Sequence, residues 1–468
     1  MPQLDPDRLF PTEARARDLA RALYNEVKAL PIISPHGHTD PAWFASNTPF
    51  TDPAALIVTP DHYVLRMLFS QGVRYEDLGV APQDGSQYDT DPRRIWRTFA
   101  AHYHLFRATP SRMWIDHALA NVFGVEAELT PYTADAVYDQ VAGALAQPAY
   151  RPRALYEQFG VEVLATTDSA LDPLDQHKTL VQSGWNGRVV PTYRPDAVID
   201  PDAAEFAQNL TAFGELTGED TQTWQGYLTA HRKRRADFKA LGATATDHGS
   251  DTPQTANLTP SEATALFDRV RGGAASPEDA ALFRAQMLTE MARMSLDDGL
   301  VMQLHAGSWR GHSSTVARRF GPDRGFDIPV AVDWVGGLHP LLEAFGTDPR
   351  LTLILFTLDE TTYTRELAPL AGAYPALKLG PAWWFFDSPE GMRRYREAVT
   401  ETAGFYNTVG FNDDTRAFCS IPARHDVARR VDCAYLADLV CSGRLTEADA
   451  HELAVDLAYT LAKKAYQL

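Results

Sequence analysis

Short apolar runs recur along this chain, and each closes on polar or aromatic residues: 32–38, 161–168, 189–196, a weak 243–248, 301–307, 351–357, 377–384 and 408–414. Helical patterns separate them. Strands alternating with helices argue for a parallel sheet. Eight such units suit a closed barrel better than an open doubly wound sheet, and no glycine-rich dinucleotide fingerprint follows the first run. The expected class is α/β, a (β/α)₈ TIM-type barrel. The spacing is uneven, so large helical insertions are expected at about 45–155, between the first two strands, and about 200–298, between the third and fifth. Helices are expected over 61–69 and 111–125. Thr259-Pro260-Ser261-Glu262 and Ser276-Pro277-Glu278-Asp279 read as helix starts, each with a cap, a proline at the first helical position and an acid two residues on. Thr446-Glu447-Ala448-Asp449 opens the last helix. The stretch 242–260, rich in Thr, Asp and Gly, reads as a loop. The basic run His231-Arg232-Lys233-Arg234-Arg235 reads as a solvated helix face.

Composition narrows this little. At 468 residues, 45% apolar and 22% charged, the chain is ordinary globular protein, and one barrel with insertions accounts for 1–468. The formal charge of −18 argues against a nucleic-acid or anionic-membrane partner. An acidic small molecule would have to be captured by a local arginine cluster. Three cysteines without a CxxC spacing point to a reduced, cytoplasmic protein. The opening residues lack a signal-peptide pattern, and the longest apolar runs are too short to span a bilayer.

The chemistry begins at the first strand. His36 and His38 close it one residue apart, and residues i and i+2 of a strand share a face. Two neutral imidazoles can then meet one divalent ion. Barrel active sites lie at the carboxyl ends of strands, and the first and eighth strands are neighbours in a closed barrel. Asp414, at the end of the eighth, is therefore the candidate third ligand, with Asp413 pointing the other way. Arg194, Arg310 and Arg416 follow three strand ends, and their planar guanidinium groups suit a carboxylate. His305 ends the fifth strand and is read as a group touching substrate or supporting one that does. His248 is open between ligand, support and core. Of Trp383 and Trp384, one is expected in the core and the other on a pocket wall. Tyr63 opens a helix and is a candidate acid.

Ile32-Ile33-Ser34-Pro35-His36-Gly37-His38, Asp61-His62-Tyr63, Thr192-Tyr193-Arg194-Pro195-Asp196, Gln303-Leu304-His305, Trp383-Trp384-Phe385, Asp414-Thr415-Arg416-Ala417-Phe418 and Arg424-His425-Asp426 together resemble the uronate (glucuronate) isomerases. The resemblance runs from Leu9 to the carboxyl terminus. It implies an amidohydrolase-type barrel that interconverts D-glucuronate with D-fructuronate and D-galacturonate with D-tagaturonate. His36, His38 and Asp414 would hold one divalent ion, zinc by preference. Asp414, Tyr63 and Arg416 would act in catalysis, and His62, Arg194, His305, Arg310 and Trp383 would bind substrate. Arg310-Gly311-His312-Ser313-Ser314 stands where the family often carries an asparagine-rich run. Thr357-Leu358-Asp359 has no histidine at the end of strand six, which fits a one-metal isomerase better than a two-metal hydrolase. A non-catalytic sugar-acid binder would need no metal site with an open position. Whether copies assemble as a homo-oligomer stays open.

Overall fold

The structure is a computed structural model that describes residues 4–468. Eight chain segments run parallel in sequence order. The first is β1 (Ile32–Ser34) and the second is β2 (Val161–Ala165) with β3 (Asp168–Ser169). The third is β4 (Arg188–Val190) with β5 (Tyr193–Arg194), followed by β6 (Ala245–Ser250) and β7 (Val301–Ala306). A short antiparallel pair, β8 (Ser308–Trp309) with β9 (Ile328–Pro329), precedes β10 (Leu353–Thr357) and β11 (Leu377–Leu379). Their order is β1-β2-β4 in one ladder and β3-β5-β6-β7-β10-β11 in the other, so the two-piece second and third segments bridge both. The eighth segment joins β11 through a single bridge, Leu379 with Thr408. The His38 N–H donates to the Thr415 carbonyl (3.0 Å), tying that segment back to the first. This is the (β/α)₈ barrel arrangement.

The longest ladder explains the packing. On β10, Leu353 and Leu355 pack outward into the helix–sheet core, while Ile354 and Phe356 belong to an inner cluster with Ala245, Val301, Trp383, Val409 and Tyr466. Every residue of β7 and β10 is buried, as expected for a parallel sheet covered on both faces. Inside the barrel the Tyr466 hydroxyl donates to Gln303 (3.0 Å) and accepts from Asn412 (3.2 Å).

Between β1 and β2 lie helices that include Pro41–Ser46, Pro53–Ile57, His62–Ser70, Pro92–His102 and Pro110–His117. Four of these begin with proline after a capping Asp or Thr, namely Asp40, Asp52, Asp91 and Thr109, whose side chains accept backbone N–H bonds. These helices have their own core around Trp96, Phe99 and Tyr103. Both predicted capping boxes, Thr259 with Glu262 and Ser276 with Asp279, form as read. Thr446 caps Glu447–Val455, but two further helical pieces follow that helix without a break.

Several expectations are corrected. The strands are shorter than their apolar runs: β1 stops at Ser34 and β11 at Leu379, so His36, His38 and Trp383 project from loops. Six residues of the 242–260 loop form β6, which runs two residues beyond 248. The basic run is a solvated face only at Arg232 and Lys233. His231, Arg234 and Arg235 are buried. Arg235 binds Asp298 (2.6 Å) and Ser295 (3.0 Å), and Arg234 donates to the Ala170 and Asp172 carbonyls. In a helix wedged between sheet and helices, these cations satisfy backbone and carboxylate acceptors that would otherwise be stranded.

Candidate active site

At the carboxyl ends of the strands a cavity of about 590 Å³ opens. His36 Nε2 lies 3.5 Å and His38 Nε2 3.2 Å from Asp414 Oδ1. Ligands about 2.0–2.1 Å from a tetrahedral ion stand about 3.4 Å from one another, so the trio has the spacing of a metal site. The three side chains come from opposite ends of the chain, and the His38–Thr415 backbone bond sets their register. Asp414 is held in the left-handed region (φ 35°), a conformation that persists only when its surroundings enforce it. Burial raises its carboxyl, but the imidazoles of His36, His38 and His305 more than offset this and hold it far below the usual range. Asp413 turns the other way, its carboxylate 3.0 Å from His425 Nε2.

His305 sits beneath His36, the two rings stacked at 4.6 Å. Its Nδ1–H donates to Asp247 (2.6 Å), and its buried Nε2 has no protein partner. A second trio of His36, Asp247 and His305 therefore shares one histidine with the first. Asp247 was not singled out from the sequence; His248 beside it was. Strand alternation separates them: Asp247 shares the inner face with Ala245, while His248 points outward and pairs with Thr246 (3.0 Å). Burial pushes His248 down to about 3, so it is a neutral core group. A lone carboxylate inside an apolar run at the fourth strand was the missed signal.

Arg194 lines the cavity and is held by Asp196 (2.7 Å) and Asp247 (3.2 Å). Arg416 reaches Asp323 (3.3 Å), and Arg310 reaches Asp327 (3.1 Å) with its guanidinium over the Trp384 ring. The structure thus gathers all three predicted arginines at one cavity, each already carrying a protein carboxylate. The carboxylates Asp196, Asp323 and Asp327 were not foreseen as part of the site. His62 and Tyr63 begin a helix capped by Asp61, and their rings stack at 4.5 Å. Neither ring nitrogen of His62 has a partner, and burial lowers it to about 3. The Tyr63 hydroxyl donates to the Trp384 carbonyl (3.3 Å), and burial raises it well above its ordinary value. Both tryptophans line the cavity; Trp383 is the buried one and stands edge-on to His305 (4.7 Å).

A family model described as glucuronate isomerase matches residues 13–466. The chain belongs to the glucuronate isomerase family. A uronate isomerase of Mesorhizobium japonicum is 64% identical, the match covering 99% of each chain. The crystal structure of a glucuronate isomerase from Caulobacter crescentus superposes with a TM-score of 0.98 at 56% identity, covering 99% of this chain and 97% of that one. A uronate isomerase from Thermotoga maritima superposes at 0.92 with 28% identity, covering 99% of each. The glucuronate isomerase fold thus holds along the whole length, its strand ends delivering the cavity just described.

Proposed function

We propose that this chain interconverts the aldose and ketose forms of hexuronates, D-glucuronate with D-fructuronate and D-galacturonate with D-tagaturonate, in hexuronate catabolism. The observation that carries the reading is the convergence of His38, Asp414, Tyr63 and three arginines on one cavity, with the buried His36 set against Asp414 beside it. His36, His38 and Asp414 would hold one divalent ion, and their two-imidazole, one-carboxylate set suits zinc. Bound there, the ion would supply Lewis-acid polarisation of a sugar oxygen.

The chain's own residues account for the rest. Isomerisation removes a proton from C2, delivers one to C1 and moves one from the C2 oxygen to the C1 oxygen. Asp414 starts proton movement as base, and Tyr63 faces it as the acid/base partner. Arg416 stabilises the developing oxyanion. Arg194 and His62 bind the sugar carboxylate: two aspartates fix the guanidinium, which has five N–H donors to share, and neutral His62 offers a hydrogen bond. Arg310 and Trp383 complete the walls, and His305, behind Trp383 and His36, is the remaining group assigned to substrate binding. The helical segments at about 45–155 and, on either side of β6, 200–298 are insertions in a single catalytic barrel. The unpaired cysteines support a cytoplasmic location, and among the described residues no helix is long and apolar enough to cross a membrane.

The test is to incubate the purified protein with D-glucuronate in deuterium oxide and follow the sugar by NMR. Ketose signals are expected. Unchanged aldose with metal supplied would overturn the proposal.

A further inference from the structure

Behind the cavity wall stands a fully buried cation with no role in the steps above. Arg424, on the helix Ile421–Cys441, is 1% exposed. Its Nη1 donates to Asp387 and to the Asp413 carbonyl (3.3 Å), and its Nε donates to Ser420 (3.2 Å). Its guanidinium lies 3.5 Å from the Trp114 ring centre and 5.6 Å from that of Tyr63.

Three of these contacts, to Asp387, the Asp413 carbonyl and Tyr63, end on segments that carry a proposed active-site group. The Asp413 carbonyl belongs to the peptide that leads into Asp414, whose backbone is left-handed. Asp387 closes the turn that begins at Trp384, another non-glycine residue of the site held left-handed (φ 57°). The Trp384 carbonyl is in turn the acceptor of the Tyr63 hydroxyl. Arg424 therefore braces three separate chain segments at once. Its Nη1 and Nε donate from one rigid plane laid over the Trp114 ring, a combination a point-charge ammonium cannot supply.

We infer that Arg424 is a positioning residue, clamping Tyr63, the 384–387 turn and the Asp413–Asp414 peptide into one rigid unit. The inference rests on the site proposed above and adds a residue that touches no substrate. A buried ion pair would by itself lower only stability, so the test must separate placement from folding. Removing Arg424 alone strands Asp387, so R424Q is paired with D387N. R424K is made beside it to keep a cation at Asp387 without the fork.

We expect both variants to fold and to retain wild-type metal content. Their kcat should fall about 10²-fold, the cost of roughly an ångström of misplacement, with KM changed far less. In a Y63F background the same substitutions should lower kcat by several-fold less than in the wild-type background, because one of the groups they position is already gone. Wild-type kcat in a folded R424K, or an undiminished loss in the Y63F background, overturns the inference while leaving the site reading intact. Wild-type turnover by Y63F itself removes Tyr63 from the site, and this inference with it.

Discussion

Asp247 and His248 are neighbours on one strand and serve opposite ends. Asp247, inward, receives the His305 Nδ1–H and the Arg194 guanidinium. Burial opposes its charge, but His305 and Arg194 hold it well below the usual carboxylate range. A carboxylate behind an imidazole fixes the tautomer and ring orientation, so Asp247→Asn should lower kcat about 10–100-fold without unfolding the chain. Steady-state kinetics on the folded variant checks this; unimpaired turnover would leave Asp247 a purely structural group. The sequence made His36 and His38 legible because an i, i+2 pair at a strand end needs no knowledge of register. Asp247 was hidden because choosing it over His248 depends on which face of a weak strand turns inward, a one-residue question.

Among elements, helix starts were more legible than strand ends. A cap is written in four consecutive residues, whereas a strand's end is set by the partner strand and the loop beyond it. Ser276 accepts the Asp279 N–H and the Asp279 side chain returns the bond, so Ser276→Ala should cost about 1 kcal/mol, read by denaturant midpoint. A cost near zero would mean the box adds nothing beyond packing. The second barrel segment makes a different prediction. Asp168, where β3 begins after the break from β2, is buried beside Thr166 and His177. Burial raises it to about 7. A carboxyl raised in the fold favours the native state at low pH and loses that contribution as pH climbs from its ordinary value of 3.8 through 7. Asp168→Asn, which does not ionise, should therefore gain on wild type as pH rises from 5 to 8, by roughly 1.4 kcal/mol per unit over the range between those values at most. A stability difference that stays flat with pH would show that Asp168 is not carrying a buried charge. The misread basic run belongs at this scale too. A helical run of cations looks solvated by composition, and only the tertiary packing of 224–240 against 277–298 reveals Arg235 as the partner of Asp298.

At the scale of the whole molecule the puzzle is electrostatic. The chain carries −18 and is proposed to take an anion. Even the cavity is not cationic by side chains alone: Arg194, Arg310 and Arg416 stand against Asp61, Asp196, Asp323, Asp327 and Asp414. The arginines act at hydrogen-bond range, while the summed negative field acts at distances where the pocket cannot be resolved. The two ranges are separable, because the screening length falls from about 30 Å at 0.01 M salt to about 8 Å at 0.15 M. Raising salt across that interval should lift kcat/KM for a uronate by weakening the long-range repulsion, while leaving contacts inside the cavity almost unscreened. A neutral aldose turned over by the same protein should show no such rise. If kcat/KM for the uronate instead falls with salt, the cavity's own field dominates capture, and the acidic surface would be irrelevant to the encounter.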